Sequence, residues 1–276
     1  MNWRVVRTVA SKDLHEVLLS RNAVVAAVVV PLLFIIVLPF AVIILPQNMG
    51  VPMSKLMADI GPFVSMMRYK LGGMAEAMAG LNDLQGWIVL MLGFLLAPLF
   101  LTLPLMFASL VGADAFVGEK ERKTLETLLY TPASDAEILI GKVIASFVPS
   151  VVITWAAFVI YIGVVNAVSW PVMGHLWFPT ATWWPLIFWL APALGTLGMA
   201  VTVIISQRVS THVEANQLAG SLVLLVIGLL AGQIAGVLFL NIETMFIVGT
   251  LLWAVDALLI WQGVKRFARG KLIARL

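Results

Sequence analysis

The sequence predicts an all-α polytopic membrane protein with six transmembrane helices. Three observations lead there. Hydrophobic residues make up 62% of the 276 positions and charged residues 11%, with a mean hydropathy of +1.04. A soluble domain carries about 25% charged residues. Six apolar runs are each long enough to cross a hydrocarbon core of ~30 Å. The basic residues also segregate: a six-span chain with both ends inside keeps fourteen of the seventeen on one side, leaving only Lys55, Arg68 and Lys70 outside.

Residues 2–21 read as an amphipathic helix lying on the membrane. Trp3, Val6, Ala10, Leu14, Val17 and Leu18 share a stripe at helical spacing, while Lys12, His15 and Glu16 face away. Arg4, Arg7 and Arg21 suit an interfacial position, with a solvated leader helix as the alternative. Val5 and Val9 depart from the stripe. The opening residues are too polar for a signal-peptide core and no cleavage site follows at the usual distance, so retention is expected.

The first span is expected over 23–45, bent by Pro31 and Pro39. Residues 46–86 form an extracytoplasmic loop with one or two amphipathic helices, broken near Gly61-Pro62 and Gly72-Gly73. Its methionines suit packing better than copper binding, because no MxxM array stands beside a histidine. The second span, 87–111, is kinked by Pro98 and Pro104.

Residues 114–136 are polar and fall on the cytoplasmic side. A mixed-charge cluster, Glu119-Lys120-Glu121-Arg122-Lys123, precedes an amphipathic stretch from Thr124 to Tyr130, and Thr131-Pro132 stops it. Ser134 with Glu137 three residues later is a capping box that starts the third helix before the bilayer. That span is expected over 137–166, with Lys142 snorkelling at headgroup level.

Trp170, Trp177, Phe178 and Trp183 lie between the third and fourth spans without Lys or Arg. They read as an aromatic belt at the membrane boundary, or alternatively as a gate. The fourth span is expected over 184–206, the fifth over 218–240 and the sixth over 245–263. In the fifth, Gly228, Gly232 and Gly236 recur every four residues, as a flat face for helix packing or dimerisation would. Gln233 lies beside that stripe, and Asp256 is the one acid deep in a predicted span. Such an acid serves either a cation, proton or polar cargo in the translocation path, or a hydrogen bond between helices. The polybasic tail, Lys265 to Arg275, suits anionic headgroups rather than nucleic acid.

Several chemistries are excluded. The chain has no cysteine, hence no disulfide or thiolate site. It has no G-x-x-x-x-G-K-[ST] phosphate loop, no HExxH and no GxSxG, and its three histidines are far apart. It is not expected to be an enzyme or to bind a metal or cofactor. Any energy source must come from another subunit.

From Gly118 to Lys142 the sequence resembles the membrane subunits of ABC-2-type ABC transporters, which carry a run like E-x-E-x-x-T-L-E-x-L-L-x-x-P followed by an acid and G-K. The matching residues are Glu119, Glu121, Thr124, Leu125, Glu126, Leu128, Leu129 and Pro132, then Glu137 and Gly141-Lys142. Lys123 stands where many members have glycine. Lys12-Asp13-Leu14 and the ending Phe267 to Leu272 also look like the family's.

The resemblance implies a type V exporter-like permease subunit in the cell membrane, with both termini cytoplasmic. It implies a second permease copy or close homologue and two cytoplasmic ATPase subunits, which hold the ATP and magnesium. The segment from Thr124 to Pro132 would be the coupling helix inserted into a cleft of the ATPase, with Glu119 and Glu121 among the contact residues, and the leader a connecting helix. The family often has re-entrant helices between its fifth and sixth spans. The turn Asn241 to Thr244 leaves little room for them, so residues 46–86 are expected to supply any outer gate. The reading from another class is a non-transporting membrane anchor or assembly subunit of a larger complex.

Overall fold

The computed structural model describes residues 1–19, 29, 32–48, 52–70, 72–119, 131–206, 209, 214, 217–218 and 220–266. Helix α1 (Trp3–Leu19) is the leader, and α2 (Leu33–Asn48) is the described part of the first apolar run. Three short helices follow: α3 (Met53–Asp59), α4 (Gly61–Lys70) and α5 (Gly72–Ala77). They break beside Gly61 and Gly72, where the sequence offers the chain its least costly bends. Then come α6 (Asp83–Gly118), α7 (Asp135–Met173), α8 (Trp183–Ser206), α9 (Val223–Ile234) and α10 (Ile242–Arg266).

Among the described residues, α6, α7, α8 and α10 are long and apolar enough to cross a membrane. The most apolar stretches of α6 and α8 are 83% and 78% buried, while that of α10 is 17% buried. The pair α6–α8 is therefore the centre of the bundle, and α10 lies on its outside. Helix α7, with 39 residues, is about 58 Å long and overshoots the hydrocarbon at its ends. Helix α9 has 12 residues and is about 18 Å long, too short to span alone, whereas the apolar pattern predicts a full crossing over 218–240.

Helix α6 is irregular for identifiable reasons. A π-helical turn covers Val89–Leu95 and a 3-10 turn covers Ala97–Leu101, where Pro98 has no N–H to give. Side chains from other segments satisfy the released carbonyls. Gly93 O accepts from Trp183 Nε1 at 2.9 Å and from Thr180 Oγ1 at 3.3 Å, and Phe94 O accepts from Gln233 Nε2 at 2.9 Å. The helix starts at a capping box, Asn82 with Gln85, which the sequence displays plainly.

Around this break sits an aromatic core. Trp183 is 1% exposed, with Phe178, Tyr161 and Phe158 rings 4.9, 5.4 and 5.6 Å from its own. The expected aromatic belt thus divides. Trp170 is exposed, but Phe178 and Trp183 are core residues. For Phe178 the reason is Asn166, which is buried and ties down the returning chain. Its Oδ1 accepts from Trp177 N and Phe178 N, and its Nδ2 donates to Phe178 O.

The glycine stripe also departs from expectation. Gly236 lies beyond the end of α9 at φ +73°, so it terminates the helix rather than extending a face. A Cβ on Gly228 would meet nothing within 4 Å. A glycine that brings two helix backbones close together in the centre of the bundle lies elsewhere. A Cβ on Gly198 of α8 would stand 2.8 Å from Leu105 O and 2.8 Å from Ser109 Oγ of α6.

Candidate functional site

Three segments far apart in sequence meet at one end of the bundle: α1, the last turn of α6 and the first turns of α7. Lys142 is completely buried at their junction. Its ammonium donates to Asp13 Oδ2 at 3.0 Å, Glu119 Oε2 at 2.7 Å and Ala115 O at 2.6 Å. An ammonium has three donors, and here all three are used. Ala115 lies in the π-helical turn Asp114–Gly118, at the end of the described part of α6. The Phe116 ring lies 5.3 Å from the same nitrogen.

The two acids are buried as deeply, Asp13 at 2% and Glu119 at 1% exposure. Glu119 is shared, because its Oε1 takes the ammonium of Lys12. Lys12 also lies 3.4 Å from Asp13 and 3.3 Å from Glu16. Burial pushes the Asp13 carboxyl above the ordinary aspartate range, with the Lys142 charge pulling against it. Burial opposes the charge on Lys12. The hydrogen bond to Glu119 and the fields of Glu119, Asp13 and Glu16 outweigh that and hold it above the ordinary lysine value. Asp13, Glu16 and Glu119 stand close enough together to hold a cation, and the cations they hold are the two lysine ammoniums.

Gly141 explains how α1 comes so near. A Cβ there would stand 2.8 Å from Val9 Cβ and 3.0 Å from Val6 O. Only a glycine lets the α1 backbone lie against α7 at this point. The buried face of α1 is therefore Val6, Val9 and Asp13, and Trp3 is 63% exposed. This corrects the predicted stripe. Val9, which departs from the amphipathic pattern, is a contact residue because α1 packs on protein rather than lying free.

The capping box forms as its spacing predicts. Ser134 Oγ accepts from Glu137 N at 3.3 Å, and Glu137 Oε2 accepts from Ser134 N at 2.9 Å. The other carboxyl oxygen of Glu137 accepts from Asn2 N, so the cap also anchors the start of the leader. Pro132 is exposed at a bend before it. Glu121, Thr124, Leu125, Glu126, Leu128 and Leu129 lie outside the described residues. Glu119, grouped with them by sequence motif, is turned into the bundle. It belongs to the charge cluster and not to an exposed face.

The sequence profile of the ABC-2 family transporter proteins matches residues 7–260. The chain belongs to the ABC-2 transporter family. No curated protein matches it. The ABC-2 chain is accordingly a multi-pass membrane component of a transporter, from a family that associates with ATPase subunits. Its matched region takes in every residue of the charge cluster.

Two polar residues of the ABC-2 chain lie deeper among the helices. Gln233 is 1% exposed and donates to the broken turn of α6, while its Oε1 has no hydrogen-bond partner among the described residues. Its described contact is thus a helix–helix hydrogen bond. Asp256 is 1% exposed, and neither carboxyl oxygen has such a partner among the described residues. It shares a face of α10 with Ile260 and Gly263, which line a small apolar gap of about 10 Å³ against α7 and α8. Since no described hydrogen bond would be lost, Asp256→Asn is expected to leave the thermal midpoint unchanged or raised. Thermal unfolding in detergent checks this; a fall of several degrees would show that the carboxylate makes a stabilising contact.

Proposed function

We propose that the ABC-2 chain is the permease subunit of an ATP-driven exporter in the cell membrane. It works as a dimer with a second permease copy, with both termini in the cytoplasm. Two separate ATPase subunits supply ATP and magnesium and act on the segment between Glu119 and Pro132. The observation that carries this reading is how the ends of that segment are held. Glu119 is bound into the bundle by Lys142, and the other end is capped by Ser134 and Glu137. A short segment clamped at both ends passes a push to the helices it joins rather than absorbing it.

Leu125, Leu128 and Leu129 supply an apolar stripe suited to a groove on a soluble partner, with charged residues beside it to set register. Alternating access follows if the two arrangements of the helices differ by less than the partner's differential binding. Gln233 and Asp256 remain candidates for the polar part of the translocation path, and the exposed Gly228 is a candidate for the face that meets a second copy.

The test is co-purification. Leu128→Asp and Leu129→Asp are each expected to abolish recovery of the ATPase with the chain while membrane insertion is kept. Full recovery with both variants would overturn the assignment and favour a non-transporting anchor.

A further inference from the structure

We infer that a groove at the far end of α7 holds one acyl chain of a phospholipid from the leaflet opposite Lys142. Its occupancy does not depend on what the segment between Glu119 and Pro132 meets.

Gly174 ends α7 in the left-handed conformation, at φ +70°, and turns the chain back. Asn166 then holds the returning stretch and sets Leu176 and Phe178 beside the helix. Between them lies a groove of about 520 Å³, in the size range of small-ligand sites. On the helix side it is lined by Gly163 and Ala167, one turn apart, with Ile162 and Trp170 beside them. A Cβ on Gly163 would meet nothing within 4 Å, so the groove is open where that side chain is missing. Apart from the Trp170 indole, its one polar side chain is Asn166. Both Asn166 donors and both lone pairs of its oxygen are already used within the chain. The groove therefore asks nothing polar of its guest.

Depth selects the guest. From Lys142 to Trp170 α7 rises about 42 Å, against ~40–45 Å for a bilayer with its headgroup regions. With Lys142 at one boundary, the exposed Trp170 ring stands at the other, where indoles settle. The groove runs inward from that ring into the hydrocarbon. It continues the exposed apolar face of α7, formed by Val148, Val152, Trp155, Val159 and Ile160, which faces lipid where α7 crosses the membrane. Width excludes a second helix. Between Ile162 and Trp170 the helix rises about 12 Å, so 520 Å³ gives a section of roughly 43 Å². A helix about 10–12 Å across needs roughly twice that, whereas a single alkyl chain fits.

The probe is a phosphatidylcholine with a photoactivatable diazirine on its acyl chain, placed in nanodiscs with the full chain. Irradiation is expected to put adducts on residues 162–178 at three-fold or more the yield on residues 148–160. Gly163→Leu with Ala167→Leu fills the groove. It is expected to lower the groove adducts at least five-fold, with the adducts on 148–160 and the thermal midpoint unchanged. Leu176→Ala removes a wall at a position 72% exposed and is expected to lower the groove adducts as well, so it carries the test if the double variant fails to fold. Equal yields on the two stretches, or groove adducts that survive these substitutions, overturn the assignment. The chain has no cysteine, so Ala167→Cys reports on a second copy. No disulfide between copies is expected in the membrane, and efficient formation of one overturns the lipid in favour of a protein contact.

Discussion

Lys142→Met is expected to cost about 3–5 kcal/mol of stability, the largest effect of any single replacement at the charge cluster. Methionine fills much of the same space, so the loss comes from charge rather than from a cavity. Asp13 and Glu119 would stay buried while losing the ammonium that both of them grip. A buried carboxylate that loses a full positive charge beside it is far more costly than a missing hydrogen bond between neutral groups. The measurement is the thermal midpoint in detergent, together with the folded yield. A companion variant separates charge from shape. Combining Lys142→Met with Asp13→Asn and Glu119→Gln is expected to recover most of the loss, because no stranded acid remains. Native stability in Lys142→Met alone would show that the cluster holds nothing together.

Gly198→Ala is the second large effect. Its new Cβ would stand 2.8 Å from a backbone carbonyl, Leu105 O, and a backbone cannot swing aside as a flexible side chain can. Helices α6 and α8 form the buried centre of the bundle, so the strain cannot be relieved at an edge. Overpacking of this kind costs about 1–3 kcal/mol. A lower thermal midpoint in Gly198→Ala, with a further drop in Gly198→Val, checks it. Gly228→Val is the contrast, because open space surrounds that glycine within the chain. It is expected to leave the monomer's midpoint unchanged. If Gly228 faces a second copy, the same variant lowers the dimer fraction in light scattering. Equal destabilisation by Gly198→Ala and Gly228→Val would contradict the packing described here.

Sequence patterns succeed or fail here according to how far apart the interacting residues are. The Ser134–Glu137 cap needs only three residues of chain, and it forms as predicted. The breaks beside Gly61 and Gly72 are equally local. Composition and run length are enough to make the fold an all-α polytopic bundle. The Gly141-Lys142 pair was legible as part of a family resemblance, but its reason was not. The glycine is needed because Val6 and Val9 press against it, and the lysine because Asp13 lies within reach. Asp13 has no local signal of its own beyond its place in Lys12-Asp13-Leu14. Glu119 sits in a charged run that looks solvated, yet it is buried, because a lysine twenty-three positions later reaches back to it.

Regularity misled where it was most tempting. Gly228, Gly232 and Gly236 repeat cleanly, but the helix ends before the third of them. Gly195 and Gly198 repeat less cleanly, but they lie on a helix packed from several sides. Trp183 resembles a membrane-boundary residue by its neighbours in sequence. It became a core residue because a π-helical turn in α6 released the Gly93 carbonyl and left an acceptor for its indole.

By itself, then, the sequence determined the membrane class, the helical character, the capped start of α7 and, through the resemblance it carries, the ABC-2 family. These rest on composition, on period and on contacts a few residues long. The tertiary structure alone decided which charges are buried, which glycines let backbones touch and which aromatics fill the core. Each of those depends on what a distant segment brings to the same place, and no local pattern encodes that partner.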